Sequence, residues 1–242
     1  MSGKGGVGKS FVSSLLAVNL NREGYRVGVL DADITGPSIP KIFGVNKLRA
    51  NVIDNEIQPV ETKTGIKVLS LNLLIEEENK PVIWRGPLVA NTAKQFYEET
   101  SWGELDYLVI DLPPGTSDVT LTVMQSIPLH SLLVVTSPQD LVNLIVEKSI
   151  NMSKKMNIPV LGIVENMSYT LCPKCNEKIE LFGESKVDDV VNNLEVDLIS
   201  KLPIDSKFTS LCDNGKIEEF EYDYGEFSNL GKKVLDKIME SE

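Results

Sequence analysis

Short, almost unbroken apolar segments recur along the chain, and longer segments with helical periodicity separate them. The apolar segments, rich in Val, Ile and Leu, are residues 25–31, 66–71, 106–111, 131–136 and 158–164. Such segments are typical of parallel strands that are covered on both faces. Helical patterns include residues 9–24, which Gly24 ends, and residues 140–156, for which Asp140 is the N-cap candidate. This alternation predicts an α/β fold with a mostly parallel, doubly wound sheet.

Two polar segments interrupt the alternation. Residues 45–65 are rich in Asn, Asp and Thr and predict an antiparallel excursion. Residues 167–184 contain two of the three cysteines and predict an inserted loop or small hairpin. The C-terminal helical pattern, residues 228–242, mixes both charges, so we expect it to dock on the core. No repeat or linker divides the chain, and we expect one domain over residues 1–242.

Composition excludes several classes of function. The net charge of −11 repels a phosphate backbone, so nucleic-acid binding is not expected. No apolar run approaches the length of a membrane span, and no signal segment follows Met1, so neither a membrane partner nor secretion is expected. The single histidine, His130, lies between apolar segments and is expected to be structural. An odd number of cysteines favours reduced thiols and a cytoplasmic protein. The chemistry that remains is that of phosphates, carboxylates and thiols.

Residues 3–10, GKGGVGKS, match the pattern Gly-x-x-x-x-Gly-Lys-Ser/Thr directly before a helical segment. In this arrangement backbone N–H groups and the helix dipole surround phosphate oxygens. Lys9 is expected to reach the β- and γ-phosphates of ATP and to act in catalysis, and the Ser10 hydroxyl is expected to bind Mg²⁺. The predicted phosphate site comprises Gly3, Lys4, Gly5, Gly6, Val7, Gly8, Lys9, Ser10 and Phe11.

Lys4 is a second lysine within this loop. The form G-K-G-G-x-G-K-S resembles the deviant Walker A group of dimeric ATPases, in which the early lysine reaches the nucleotide of the partner subunit. The resemblance implies that Lys4 is catalytic in trans and that the protein is an ATP-dependent homodimer.

Polar residues follow the predicted strands at the edge where open α/β sheets bind ligands. Asp33 is the candidate for orienting or deprotonating the attacking water, with Asp31 as its supporting partner. Asp111 occupies the Walker B position, which holds Mg²⁺ through water. The N–H group of Gly115 is a candidate sensor of the γ-phosphate.

The base of the nucleotide has its own candidates. Asn166 follows a strand, and its amide can hydrogen-bond an adenine edge. The segment LPID, residues 202–205, resembles the segment that lines the other side of the base, which adds Pro203 and Asp205. A Pro-x-Asp sequence is also typical of a plain turn and helix start.

Cys172 and Cys175 form a Cys-x-x-Cys pair. A redox dithiol requires the pair at a helix start, and here a loop is predicted. A zinc ribbon requires a second pair, and the remaining cysteine, Cys212, is alone. In a two-fold dimer the pair from each copy would supply the four thiolates of a [4Fe–4S] cluster or of a zinc ion.

Several segments together resemble the Mrp/ApbC family of iron–sulfur cluster carrier ATPases. They are SGKGGVGKS, LDADITGPSIPKIFG, PVIWRGP, YLVIDLPPGTSD, NMSYTLCPKC and ELFGES. The resemblance implies a labile [4Fe–4S] cluster that bridges a homodimer and passes to apo iron–sulfur proteins. It also implies that Cys172 and Cys175 are cluster ligands. Cys212 matches no family ligand, and we expect a buried, apolar role for it.

The chain departs from the family pattern at two places. Family members have an apolar strand before the phosphate loop, whereas only Met1 and Ser2 precede Gly3 here, so we expect further sequence upstream or an incomplete core. Phe11 stands where Thr is usual, which removes one hydroxyl contact and predicts slow hydrolysis. Two alternatives stay open: an ATPase dimer stapled by structural zinc, and a positioning or partition ATPase. The acidic charge and the cysteine pair disfavour the second alternative.

Overall fold

The computed structural model of the chain describes residues 1–2, 5–33, 36–75, 86–115, 118–139 and 142–241. Its strands are β1 (Val27–Asp31), β2 (Asn51–Ile53), β3 (Glu56–Gln58), β4 (Val60–Glu61), β5 (Lys67–Leu69), β6 (Tyr107–Asp111), β7 (Leu132–Thr136), β8 (Val160–Glu165), β9 (Thr170–Leu171), β10 (Lys178–Ile179) and β11 (Leu198–Lys201). Its helices are α1 (Lys9–Arg22), α2 (Ile39–Ile42), α3 (Gly86–Glu98), α4 (Asp118–Ser126), α5 (Val142–Lys155), α6 (Val187–Leu194), α7 (Ser206–Asp213) and α8 (Glu226–Ser241), with 3₁₀ turns at Leu71–Leu73 and Ile217–Glu219. The predicted strands and helices are confirmed; Asp140, the N-cap candidate of α5, lies outside the described residues.

The main strands form two parallel sheets. In the first sheet β1 lies between β5 and β6, and β4 adds an antiparallel edge. In the second sheet β8 lies between β7 and β11. All residues of β1 are buried, which explains its unbroken apolar sequence. Because β1 and β6 are parallel and in register, Asp31 and Asp111 lie side by side at one edge of the first sheet.

Met1 and Ser2 connect the second sheet to the loop that follows β6. Ser2 forms a parallel bridge with Val135 of β7, and the Val135 N–H donates to the Met1 carbonyl oxygen (2.8 Å). The Ser2 carbonyl oxygen accepts from the Gly115 N–H (2.8 Å). Among the described residues, Met1 and Ser2 therefore take the position where the resemblance predicts a strand. Strand β6 is only half-buried from Tyr107 to Ile110.

Helices cover both faces of the sheets and enclose two apolar cores. One core lies beneath α1, α2, α7 and α8, and the other beneath α3, α4, α5 and α6. The C-terminal helix docks on the first core, as predicted. Leu230 and Val234 of α8 are buried, and the side-chain amide of Asn19 in α1 donates to the Phe227 carbonyl oxygen (3.0 Å).

The two polar segments form hairpins. Strands β2 and β3 pair antiparallel across Asp54 and Asn55, which both have positive φ, as a tight two-residue turn requires. Strands β9 and β10 also pair antiparallel, across a longer connection. Their connection carries the cysteine pair, so we call residues 170–179 the cysteine hairpin. No helix in the described part of the chain has the length and apolar character needed to cross a bilayer.

Candidate functional site

The described part of the phosphate loop is a glycine turn that leads into α1. Gly6 and Gly8 have φ values of 85° and 80°, which favour glycine. A Cβ on Gly8 would lie 2.2 Å from Nδ2 of Asn166, so there is also no room for a side chain. The amide of Asn166 donates to the carbonyl oxygen of Val7 (2.9 Å) and ties the loop to the end of β8. Gly3 and Lys4 lie outside the described residues.

Three side chains of α1 converge on Asp111 at the end of β6. The Lys9 ammonium donates to Oδ1 of Asp111 (2.8 Å), and both side chains are buried. The Ser10 hydroxyl donates to Oδ2 (2.5 Å) and the Ser13 hydroxyl to Oδ1 (2.9 Å). These bonds satisfy a buried ion pair that would otherwise cost several kcal/mol to desolvate. The predicted Mg²⁺ residues, Ser10 and Asp111, are therefore in contact.

Asp31 lies next to this cluster and organises the loop that follows β1. Its Oδ1 accepts from the Asp33 N–H (3.2 Å). Its Oδ2 accepts from the Ser70 hydroxyl (3.2 Å) and the Ile39 N–H (3.4 Å). Burial, followed by the charge of Asp111, raises the pKa of Asp31 to about 8. Asp31 is therefore largely protonated at neutral pH and suited to a supporting role.

Asp33, the predicted catalytic carboxylate, follows β1 and is half-buried. Its Oδ1 accepts from the Gly36 N–H (3.3 Å). The Gly115 N–H donates to Ser2, so this bond would have to exchange before Gly115 could contact a phosphate. The functional roles of Asp33 and Gly115 stay predictions.

The predicted base residues lie at the ends of β8 and β11. The backbone N–H of Asn166 donates to the Thr136 carbonyl oxygen (2.8 Å), and its buried amide contacts the phosphate loop. Asp205 is the N-cap of α7, where its Oδ1 accepts from the Phe208 N–H (2.9 Å). Its other oxygen accepts from the Tyr224 hydroxyl (3.1 Å). The helix start that Pro203 and Asp205 also predicted is present, and base contacts by these residues stay predictions.

Phe11 points away from the phosphate loop into an aromatic cluster. Its ring lies edge-on to the rings of Phe208 and Phe227, with centroids 5.4 and 6.0 Å away. The departure from the usual Thr therefore has a packing reason, because this side chain helps to fasten α7 and α8 to α1.

The cysteine pair lies in the turn of the cysteine hairpin. Cys172 is half-buried and Cys175 is exposed, and both are free thiols. Backbone hydrogen bonds, first from Lys174 and then from Cys175, lower the pKa of Cys172 below its usual value. The pair is therefore accessible and chemically suited to bind a thiophilic metal.

The third cysteine has a different environment. Cys212, on α7, packs against the first core. Burial, followed by the charge of Asp213, raises its pKa to about 12, so at neutral pH it is a thiol. Among the described residues, no group of three or more His, Cys, Asp or Glu side chains converges to hold a metal.

Comparison with known proteins identifies the family. The profile of the NUBPL iron-transfer P-loop NTPases, a ParA group, matches residues 1–239. The chain belongs to this family. It is 51% identical to the iron–sulfur cluster carrier protein of Clostridium perfringens over 227 residues, 91% of this chain and 80% of the relative. It is 44% identical to the iron–sulfur cluster carrier protein of Methanocaldococcus jannaschii over 247 residues, 98% of this chain and 83% of the relative. The assignment to the iron–sulfur cluster carrier P-loop NTPases is thus confirmed.

Solved structures agree with the fold of this carrier NTPase. The nucleotide-binding protein of Archaeoglobus fulgidus, solved in complex with ADP, superposes with a TM-score of 0.82 at 45% identity and covers 94% of this chain and 88% of its own. The cell division ATPase MinD of Pyrococcus furiosus superposes with a TM-score of 0.69 at 21% identity, which shows the fold alone, and covers 100% of this chain and 97% of its own. The predicted P-loop NTPase fold is confirmed.

Two residues at or beside the candidate site, Ser13 and Glu165, were not predicted from the sequence. Ser13 was missed, although its spacing of three from Ser10 places both on one helix face. The buried carboxylate of Glu165 was also missed. It accepts from the hydroxyls of Ser168 (2.6 Å) and Ser185 (2.7 Å), which the chain brings together only after folding.

Proposed function

We propose that this carrier NTPase binds ATP with Mg²⁺ on the phosphate loop and hydrolyses the nucleotide. The observation that carries the proposal is the convergence of Lys9, Ser10 and Ser13 on the buried carboxylate of Asp111 at the start of α1. This set combines a cation suited to phosphate oxygens with the oxygen ligands that Mg²⁺ prefers. The lack of space for a Cβ on Gly8 fits a loop whose backbone approaches a ligand closely.

Each residue has a role in this proposal. In this proposal Lys9 would contact the β- and γ-phosphates in place of the Asp111 carboxylate, and Asp111 and Ser10 would be the residues that hold Mg²⁺. Asp33 orients or deprotonates the attacking water, and the Gly115 N–H senses the γ-phosphate. Asn166, Pro203 and Asp205 line the base.

We propose further that the protein works as a homodimer in which Lys4 acts on the nucleotide of the other copy. The test mixes a Lys4→Ala variant with an Asp33→Ala variant, each inactive alone. If Lys4 acts in trans, a mixed dimer keeps one complete site, so an equal mixture recovers about a quarter of the wild-type ATPase activity. If Lys4 acts within its own chain, every site lacks one residue and no activity returns.

The cargo in this proposal is a [4Fe–4S] cluster held between two copies. Each copy contributes Cys172 and Cys175, and together they supply the four thiolates that such a cluster takes. The free, accessible thiols and the lowered pKa of Cys172 support the assignment. The recipients are apo iron–sulfur proteins, and the compartment is the cytoplasm, where thiols stay reduced.

Transfer of the cluster tests the carrier function directly. Protein reconstituted with iron and sulfide is mixed with an apo-enzyme that needs a four-iron cluster, and the activity of that enzyme is followed. We expect activation by the wild type and none by the Cys172→Ser/Cys175→Ser variant. Equal activation by both proteins would mean that free iron and sulfide, released into solution, account for the effect, and would overturn the proposal.

A further inference from the structure

The buried carboxylate of Glu165 accepts hydrogen bonds from both ends of the segment that carries the cysteines, at Ser168 and at Ser185. Glu165, the last residue of β8, is 1% exposed. It accepts from the hydroxyl of Ser168 (2.6 Å), where the segment begins. It also accepts from the hydroxyl of Ser185, which lies 2.7 and 2.9 Å from its two oxygens where the segment ends. Hydrogen bonds to a buried carboxylate are among the strongest in proteins, so Glu165 anchors Ser168 and Ser185, which flank the cysteine hairpin on either side.

The end of β8 also contacts the phosphate loop. Asn166 follows Glu165 directly, and its amide donates to the Val7 carbonyl oxygen of the phosphate loop (2.9 Å). Successive side chains at the end of β8 thus reach in two directions, Glu165 to the residues that flank the cysteine hairpin and Asn166 to the phosphate loop. A shift of this strand end would move both.

A second connection runs through the segment predicted to line the base. The Ser168 N–H donates to the Leu202 carbonyl oxygen (2.9 Å), and the Ile204 N–H donates to the Tyr169 carbonyl oxygen (2.6 Å). The Thr170 hydroxyl donates to the Ile204 carbonyl oxygen (3.1 Å). Ile204 lies between Pro203 and Asp205. A nucleotide base that displaces these residues would therefore also move Thr170, at the start of the hairpin and close to Cys172.

We infer that Glu165 is a positioning residue through which nucleotide occupancy sets the accessibility of Cys172 and Cys175. The phosphate loop, the base segment and the cysteine hairpin all meet at the end of β8, and Glu165 makes the connection to the hairpin rigid. The biological meaning of this coupling rests on the proposed function, because it would let the nucleotide govern when the cargo is held or released. The coupling itself is a property of the protein without cargo.

The test measures alkylation of the cysteines by iodoacetamide in cluster-free protein, with and without saturating Mg–ADP or Mg–ATP. Peptide mass spectrometry follows Cys172 and Cys175 separately, and Cys212 serves as an internal reference for global unfolding. In the wild type we expect saturating nucleotide to change the alkylation rate of the pair about fivefold or more, in line with typical coupling between sites.

Variants then test Glu165. In Glu165→Ala and in Ser168→Ala/Ser185→Ala, the pair should react at nearly the same rate with and without nucleotide, each variant being saturated according to its own titration. Glu165→Gln keeps acceptor oxygen without the charge and should recover part of the effect. Ser200→Ala is the matched control, because it removes a serine bond of 2.7 Å to a different glutamate, Glu226, and should keep the wild-type ratio.

Two outcomes would overturn the inference: a wild-type rate that nucleotide does not change, or Glu165 variants that keep the wild-type ratio. Either outcome is independent of the carrier function. A protein that transfers clusters but shows no coupling would remove this inference alone. A protein that shows coupling but holds no cluster would remove the proposed function alone.

Discussion

The ammonium of Lys9 lies 2.8 Å from the carboxylate of Asp111, with 6% and 0% of the two side chains exposed. Hydroxyls of Ser10 and Ser13 share the same carboxylate. Because the pair is cut off from water, each charge depends on the other for its solvation. The site that is proposed to bind ATP therefore also contributes to the stability of the fold.

Removing the charge of Asp111 should destabilise the fold. Asp111→Asn leaves Lys9 buried without a counter-ion, and we expect the free energy of unfolding to fall by about 3–5 kcal/mol. Urea unfolding at neutral pH, without nucleotide, measures the change. Asp188→Asn is the control, because it breaks an exposed ion pair with Lys201 and should cost far less. Equal losses in the two variants would contradict this account of the buried pair.

Gly8 should tolerate no side chain, in contrast to Gly5 in the same loop. Gly8→Ala places a Cβ 2.2 Å from the amide of Asn166 at a φ of 80°, whereas a Cβ on Gly5 meets no atom of the described residues within 4 Å. We expect Gly8→Ala to lower the free energy of unfolding by about 2 kcal/mol or more, and Gly5→Ala to change it by less than about 0.5 kcal/mol. Thermal or urea unfolding of both variants checks the difference. A loop that accepts both substitutions equally would show that the Asn166 contact is not close in solution.

The raised pKa of Asp31 predicts that its contribution to the free energy of unfolding decreases as pH rises. Folding raises this pKa from 3.8 to about 8, so between these values the folded protein holds a proton that the unfolded chain has lost. The contribution of Asp31 to stability is therefore complete below pH 3.8 and falls as pH rises to about 8. Asp31→Asn cannot ionise, so its free energy of unfolding relative to the wild type should rise across this range and then level off. Unfolding titrations at several pH values, without Mg²⁺, measure this difference. A relative stability that does not vary with pH would contradict the raised pKa.

The cysteines should separate by their reactivity. The lowered pKa of Cys172 increases its thiolate fraction relative to an ordinary cysteine, whereas the pKa of Cys212, about 12, leaves that half-buried residue a thiol. Under alkylation at neutral pH we expect Cys172 to be labelled rapidly and Cys212 to stay unlabelled until the protein unfolds. Labelling of Cys212 at the rate of Cys172 in the folded protein would contradict the raised pKa of Cys212.

Much of the fold could be predicted because its parallel strands have nearly unbroken apolar sequences, most directly at the fully buried β1. Residues Val27–Asp31 are all buried, and the apolar sequence up to Leu30 predicts this burial. The phosphate loop is also a local feature, since Gly8 and Lys9 act through positions that are neighbours in sequence. A local pattern was therefore enough to place the loop before α1 and Asp111 at the end of β6.

The connections between sites could not be predicted in the same way. The bond from Asn166 to Val7 spans 159 residues, and the bond from Ser185 to Glu165 spans 20. Neither has a sequence pattern, because serine, asparagine and glutamate at strand ends are common in any turn. The place of Ser2 beside β7 was likewise set by tertiary pairing that no periodicity reveals.

The central claim is that Cys172 and Cys175 of two copies hold one iron–sulfur cluster. The most direct test is the content of iron, acid-labile sulfide and zinc in protein purified without oxygen, beside the Cys172→Ser/Cys175→Ser variant. One shared four-iron cluster predicts about two irons and two sulfides per chain, both lost in the variant. About half a zinc per chain with no sulfide would make the cysteines a structural staple and would contradict the account.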